Sequence, residues 1–259
     1  MNVNKLLING GMAHSNGVSF YGKNYQSRAT RQKSGEIDVV IKKLNPLPVW
    51  LHNMLNIPLL RGIADTIYAF YMKWYIGVFF LIAPILMNYR VEFIADRLRS
   101  NGEVDILGFI SGFLTGILVL ILMLKLSPLG KYHAAEHVMH NLYLQNRPLT
   151  VEEGRNTTRI HEWCGSSWYI LLVIYSIVMA FVPLPLLLKL VMWYPFYGEV
   201  LMNSNKIIRT ILMPFKLAGY GFQLLTTSKP KDEHLEVSLQ AFVQLLEQEK
   251  AIDDTRKHA

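Results

Sequence analysis

The sequence predicts a mainly α-helical, polytopic membrane protein with three to four transmembrane helices, a small N-terminal β-hairpin and cytoplasmic amphipathic helices. Three observations lead to this fold class. The 259-residue chain is 51% hydrophobic and only 17% charged. Its apolar residues are concentrated in runs close to the roughly 20 residues that a helix needs to cross a bilayer. Its net charge of +7 suits contact with anionic lipid. No arginine-rich helix or aromatic-basic strand motif accompanies that charge, so we expect a lipid bilayer as partner and no nucleic acid.

The N-terminal segment, residues 1–45, is polar and basic. Two arms, 25–32 and 36–42, flank a Lys-Ser-Gly turn, and the second arm alternates apolar with polar residues. This pattern predicts a β-hairpin, with a mobile basic tail as the alternative. The first residues lack an apolar core of signal-peptide length, which predicts that the segment stays in the cytoplasm.

Residues 46–130 contain a linker helix and the first two predicted spans. The first span, 68–88, carries aromatic residues near its start, as interfacial anchors do. A charged connector, 89–103, separates it from the second span, 106–124, which carries no charge. The second span has glycines at every fourth residue over part of its length, a spacing that allows helices to approach closely.

Two further regions complete the predicted organisation. Residues 168–202 contain a third span and then an apolar run, 186–202, that is either a fourth span or a re-entrant segment, since Lys189, Pro195 and Glu199 interrupt it. Residues 203–259 contain an interfacial helix and a C-terminal cytoplasmic amphipathic helix, 233–250.

The distribution of lysine and arginine sets the predicted topology. Eight such residues precede the first span, three lie in the connector 89–103, and four lie in the His-rich segment 131–167. With four spans, the N-terminus, the His-rich segment and the C-terminus all face the cytoplasm. Three spans would place the basic C-terminal region outside, which the charge bias disfavours.

The His-rich segment holds the residues most suited to chemistry. His133, Glu136 and His137 form the pattern H-x-x-E-H. On a helix these positions share one face, so two imidazoles can reach one ion with a carboxylate beside it. The same spacing is the inverted zincin signature, in which the histidines bind zinc and the glutamate is the general base. The alternative is a helix with polar residues on a solvent-exposed face.

A second pair, His161 and Cys164, closes the segment. Catalytic zinc needs three protein ligands, and either residue could supply the third. Glu199 is another candidate, because an acid within an apolar run is expected to be functional unless its segment lies at the interface. His140 continues the helix face and could support the ligands. The alternative for Cys164 is a small buried hydrophobic residue.

The predicted cofactor is a divalent metal. A thiolate with imidazoles favours zinc, while a carboxylate in place of the thiolate would admit iron or manganese.

Four ordered blocks of the sequence resemble the YqhQ family, of which this chain looks like a divergent member. This bacterial membrane family has a domain of unknown function, and its members are often labelled predicted metal-dependent enzymes. The matching blocks are Tyr132 to His137 with Y-H-G-A-E-H, His161 and Cys164-Gly165 with H-P-R-C-G-T, Pro58 and Arg61-Gly62 with P-x-x-R-G, and Gln223, Leu225 to Thr227, Pro230 and Glu236-Val237 with Q-x-L-T-T-x-x-P…E-V. The resemblance implies a polytopic protein of the bacterial cytoplasmic membrane and a metal-dependent activity.

The chain also departs from the family pattern. Glu162 and Trp163 replace a Pro-Arg pair, and Ser166 replaces threonine. In the N-terminal glycine-rich block, glycines such as Gly11 remain, but the glutamine, glutamate and arginine of the family are replaced. The replacing residues are Met12, Asn16 and Tyr21. These departures predict a different partner or a loss of activity, if that block contributes to the family's site.

Two functions follow from the candidate residues. The first is a membrane-embedded metal-dependent hydrolase at the cytoplasmic membrane face, with Glu136 as the base and peptide bonds in membrane proteins as one substrate. The alternative is a non-catalytic, metal-stabilised membrane scaffold or assembly factor for a protein partner. Its closed site would have four ligands, which are His133, His137, His161 and Cys164. A small transporter is disfavoured, because the uncharged span has no acid or base in its interior.

Overall fold

The computed structural model describes residues 7–45, 47–72, 74–100, 106–203 and 205–257. Within these ranges the chain is mainly helical, with a small sheet at the N-terminus. The strands are β1 (Ile8–His14), β2 (Gly17–Gly22), β3 (Tyr25–Arg31) and β4 (Ile37–Lys43). The helices are α1 (Val49–Met54), α2 (Arg61–Met72), α3 (Trp74–Arg99), α4 (Ile106–Leu126), α5 (Pro128–Leu144), α6 (Val151–Arg155), α7 (Gly165–Ala180), α8 (Leu186–Met202), α9 (Lys206–Ile211), α10 (Met213–Thr226) and α11 (Asp232–Lys257).

The N-terminal sheet is larger than the predicted hairpin. The two predicted arms correspond to β3 and β4, and β1 and β2 extend them to a four-stranded antiparallel sheet in the order β1-β2-β3-β4. Sequence pattern did not reveal β1 and β2, because β1 contains two adjacent glycines and β2 is buried throughout, so neither alternates cleanly.

The chain forms two compact units. The first takes its described residues from Met1–Pro46, Gly116–His161 and Gln223–Ala259. In it α11 packs on β2 and β3, while α5 packs on β1 and on α11. Phe20 of β2 meets Phe242 of α11 edge to face at 4.8 Å between ring centroids. Burying each side chain of this size stabilises the fold by roughly 1.5–3 kcal/mol.

Polar contacts fix the position of α11 on the sheet. The buried carboxylate of Glu249 accepts hydrogen bonds from the backbone amides of Asn24 and Tyr25, at 2.7 and 2.8 Å. The Ser27 hydroxyl donates to the carbonyl of Ala241 at 2.7 Å. Two segments that are distant in sequence, the N-terminal sheet and α11, are therefore joined by buried hydrogen bonds.

The second unit comprises Leu47–Thr115 and Glu162–Phe222. Its core contains large buried aromatic side chains, among them Trp168, Trp193 and Tyr197. In it α2 and α8 approach closely at two glycines, since a Cβ on Gly198 would lie 2.4 Å from the backbone nitrogen of Gly62.

Helix α3 is longer than the predicted first span. It begins at Trp74 and continues to Arg99, so most of the predicted connector 89–103 is helical. The Glu92 carboxylate in this extension pairs with the buried Lys189 ammonium of α8 at 2.7 Å. That contact explains how a lysine is accommodated in the apolar run 186–202.

One described helix, Trp74–Leu98, is long and apolar enough to cross a membrane. A second qualifies if Leu114–Leu126 and Pro128–Leu144, which are bent by 72°, count as one span. The predicted third and fourth spans correspond to α7 and α8, of 16 and 17 residues, which are shorter than a typical span. The prediction of three to four spans therefore stays a prediction.

The surface of α3 favours membrane association. Only 11% of its most apolar stretch is buried, and large apolar side chains such as Phe79 and Leu86 are exposed. A core helix of a soluble protein of the same composition would be mostly buried. Helix α5 differs, because the sheet and α11 enclose it, so we treat it as lying outside the spans.

Candidate metal centre

Helix α5 carries the H-x-x-E-H pattern. It begins with Pro128 at its first turn, where the missing amide hydrogen leaves no hydrogen bond unmade. The middle of the helix is buried, so its polar side chains are buried with it. Glu136 is 5% exposed and His137 is 1% exposed. The alternative of a solvent-exposed polar face is therefore wrong for these two residues.

Four histidines of the first unit form a contiguous cluster. The ring centroids of His133 and His137 are 4.4 Å apart, as expected for residues one helical turn apart. The ring of His161 stacks on those of His137 and His140, at 5.3 and 4.7 Å. The structure thus brings together all four histidines of the predicted site.

A backbone carbonyl determines the tautomer of His137. Its Nδ1 lies 2.7 Å from the carbonyl oxygen of Arg159, which can only accept a hydrogen bond. Nδ1 therefore carries the hydrogen and Nε2 presents its lone pair, which is the state that a metal ligand requires.

Two amide side chains form hydrogen bonds with the backbone of residues 158–161, next to the histidine cluster. The Asn141 amide donates to the carbonyls of Thr158 and Ile160, at 2.9 and 2.8 Å. The Gln223 side chain accepts from the backbone amide of His161 at 2.8 Å and donates to its carbonyl at 2.9 Å.

Sequence reasoning did not assign a role to Asn141 or Gln223. Asn141 lies four residues after His137 on the same helix face, a spacing that could have identified it. Gln223 belongs to one of the blocks that resemble the YqhQ family.

Three potential ligands lie together. One ligand atom from each of His133, His137 and Cys164 lies within 4.8 Å of the others. Tetrahedral zinc, with bonds of about 2.0–2.3 Å to nitrogen and sulfur, would draw such atoms to separations of about 3.3–3.8 Å. Small side-chain rotations close that difference, so the donor set fits a metal ion. A His133/His137/Cys164 group could thus hold a metal.

Glu136 lies beside this group. Its Oε2 is 3.5 Å from Nε2 of His137. On its other side is β1, where a Cβ on Gly11 would lie 2.5 Å from Oε1 of Glu136. Glycine at position 11 therefore leaves the space in which this carboxyl group lies.

Burial dominates the electrostatics of the cluster. It raises the pKa of the Glu136 carboxyl to about 8. It lowers the pKa of His133 and of His140 to about 4, and that of His161 to about 3. The pKa of His137 also falls well below its usual value, first through burial and then through its neighbouring imidazoles. The histidines are therefore neutral at pH 7, ready to act as ligands without losing a proton.

Glu199, the additional candidate ligand, has other contacts. It lies in the second unit, where its carboxylate accepts from the backbone amide of Leu59 at 2.8 Å and pairs with Arg61 at 3.4 Å. The Asn203 side chain also donates to it. Protein donors thus account for both of its oxygens.

Glu162 is one of the departures from the family pattern, and the structure gives it a role. Its carboxylate pairs with Arg209 at 2.7 Å and with the buried Lys216 at 2.5 Å. Both cations belong to the segment predicted to contain an interfacial helix, and that prediction stays a prediction. The charge of Lys216 is compensated inside the second unit rather than by solvent.

The exposed apolar helix α3 favours membrane association, and the buried histidines with Cys164 form a candidate metal site. A family profile described as "Protein of unknown function (DUF1385)" matches residues 60–248, and the chain belongs to this family. It is 31% identical to the "Uncharacterized protein YqhQ" of Bacillus subtilis (strain 168), over 96% of this chain and 95% of that protein. The resemblance to the YqhQ family is thereby confirmed. No solved structure matches the chain.

Proposed function

We propose that this protein is a metal-dependent hydrolase of the bacterial cytoplasmic membrane, with its site on the cytoplasmic side. The observation that carries the proposal is the buried carboxyl of Glu136, 3.5 Å from Nε2 of His137. A carboxyl group without a charged partner is costly to bury in its ionised form, and groups with such shifted pKa values cluster at functional sites. Here the carboxyl lies one side chain away from a set of ligands that fits zinc.

Different residues of the site would have different roles in this reaction. His133, His137 and Cys164 would hold the ion, while the carbonyl of Arg159 fixes the tautomer of His137. When bound, zinc supplies Lewis-acid activation of water and of a substrate carbonyl. Glu136, ionised beside the bound cation, would take a proton from the attacking water and return it to the leaving group.

The proposed substrate class is the peptide bond of membrane proteins. The exposed apolar surface of α3 supports this choice, because a helix of this kind favours association with the bilayer in which such substrates lie.

A second function is favoured by the burial of the cluster. Cys164 and His161 are 3% and 4% exposed, and structural zinc sites are closed whereas catalytic ones keep one position open. A metal-stabilised scaffold, with His161 as fourth ligand, is therefore the alternative.

Metal content and the Glu136→Gln variant distinguish the two functions. We expect one zinc per chain in the detergent-purified wild type and in Glu136→Gln, and at least a tenfold loss in His133→Ala and Cys164→Ser. Cleavage products of membrane proteins, followed by mass spectrometry in cell membranes, should fall about 100-fold or more in Glu136→Gln.

Glu152→Gln provides the matched control, because Glu152 is an exposed glutamate on α6. The amount of cleavage products and the zinc content of this variant should equal those of the wild type. Full activity of Glu136→Gln would refute the hydrolase. A four-coordinate protein site without Glu136-dependent products would establish the scaffold.

A further inference from the structure

A basic cavity lies on the segment that supports His137. It has a volume of about 280 Å³. That is several times the roughly 30 Å³ that one water molecule occupies. Its lining includes Arg155, Thr158, Arg159 and Lys229, and no acidic residue lines it.

The three cations of this cavity differ in how their charges are compensated. Arg155 forms two hydrogen bonds with the Asp232 carboxylate, at 2.9 and 2.8 Å, so its charge is largely offset. Arg159 uses its Nε to donate to the hydroxyl of Thr227 at 3.1 Å. Among the described residues, neither Arg159 nor Lys229 has an acidic partner, so their charges face the cavity.

A hydroxyl group adds a neutral donor. The Thr158 oxygen accepts from the backbone amide of Ile160 at 3.2 Å, which leaves its hydrogen available. A guanidinium, an ammonium and a hydroxyl thus converge on one space. A phosphate group has at least three acceptor oxygens, so each of the three donors can meet a separate oxygen, and arginine binds phosphate in a bidentate fashion.

We propose that this cavity binds a phosphate group. The cavity lies next to the candidate metal centre, because the carbonyl of Arg159 receives the hydrogen bond from His137 while its guanidinium lines the cavity. The ligand is a soluble phosphate compound or the phosphodiester headgroup of an anionic lipid. The proposal is independent of whether the protein hydrolyses anything, since it concerns binding alone.

Titration calorimetry on the full-length protein in a phosphate-free detergent tests the proposal. One titration, the first arm of the experiment, uses inorganic phosphate, and the second arm uses a short-chain phosphatidylglycerol. Both contain about 0.1 M salt, so that non-specific electrostatic attraction is screened. We expect saturable binding in at least one arm and at least tenfold weaker binding in Arg159→Gln and Lys229→Gln. Binding of inorganic phosphate would identify a soluble ligand, and binding of the lipid alone would identify a headgroup.

Lys42→Gln is the control, because Lys42 is an exposed cation on β4 and the substitution removes the same charge. It should bind like the wild type. Lys229→Gln keeps the test valid if Arg159→Gln unfolds, since the exposed Lys229 supports no other described residue through a hydrogen bond. Absence of saturable binding in both arms, or equal affinities of Lys229→Gln and Lys42→Gln, would refute the proposal.

Discussion

Burial, rather than ion pairing, sets the protonation states around His137. The pKa of Glu136 lies near 8 and those of His133 and His140 lie near 4. In the metal-free protein the carboxyl is therefore neutral and the imidazoles are neutral at pH 7. A bound cation would favour the ionised form of the Glu136 carboxyl. The imidazoles would stay neutral, which is the form that binds a metal.

These pKa values predict how the stability of the metal-free protein depends on pH. The histidines have folded pKa values below the 6.5 of the unfolded chain, so the stability they contribute is lost as the pH falls from about 6.5 towards 4. Glu136 has a folded pKa near 8, above its unfolded value of 4.5, so the stability it contributes is lost progressively as the pH rises from about 4.5 to 8, a loss that the histidines outweigh below pH 6.5. We expect the midpoint of thermal unfolding, measured with a chelator present, to be highest near pH 6.5–7.

Glu136→Gln isolates the contribution of Glu136 to this curve. Glutamine mimics the neutral carboxyl and does not ionise in the unfolded chain, so the variant should match the wild type near pH 4.5 and become increasingly more stable than it between about pH 5 and 8. The loss of stability below pH 6.5 should remain, because the histidines remain. A constant difference in stability between the two proteins from about pH 5 to 8 would show that the pKa of Glu136 is not raised.

At the scale of single residues, the sequence predicted the candidate ligands but not the residues that hold the surrounding backbone. The spacing of His133, Glu136 and His137 is local, so helical geometry alone predicted that they share a face. The bonds from Asn141 and Gln223 depend on which distant backbone lies opposite them. Such contacts arise from tertiary packing, which no local pattern encodes.

At the scale of elements, the contact between β1 and α5 shapes the site. A Cβ on Gly11 would lie 2.6 Å from Cγ of Glu136, inside the closest approach of two carbons. The neighbouring Gly10 has nothing within 4 Å of the corresponding position. Two adjacent glycines of one strand therefore offer a matched pair of tests.

We expect Gly11→Ala to destabilise the protein by about 1–3 kcal/mol, as overpacking does, and to reduce its zinc content. Gly10→Ala should change stability by no more than about 0.5 kcal/mol, as surface substitutions do. Thermal unfolding and metal analysis of the two purified variants measure both effects. Equal behaviour of the two alanine variants would mean that β1 does not limit the position of Glu136.

The elements also show where sequence pattern succeeds and where it fails. The apolar run 186–202 and the C-terminal amphipathic pattern predicted α8 and the core of α11, because helical periodicity persists over several turns. The strand β2 was missed, since both of its faces are buried by contacts with other segments. The end of α3 was missed because charged residues were taken to interrupt a helix that they in fact continue.

At the scale of the whole molecule, the first unit restricts the membrane topology. The sheet, α5 and α11 pack on one another and so lie on one side of a bilayer. The chain must therefore cross an even number of times between β4 and α5, and again between α5 and α11. If α3 crosses, α4 must return the chain, and α7 and α8 cross as a pair or not at all.

This parity argument yields a prediction for cysteine labelling in intact cells. In a Cys164→Ser background, Ser100→Cys lies after α3, before α4, and should react with a membrane-impermeant maleimide from outside. Ser34→Cys, in the exposed turn between β3 and β4, should react only after the membrane is permeabilised. Phe181→Cys, in the exposed turn after α7, reports on the second pair, and labelling from outside would give four spans in total. Labelling of positions 34 and 100 from the same side would contradict a crossing by α3.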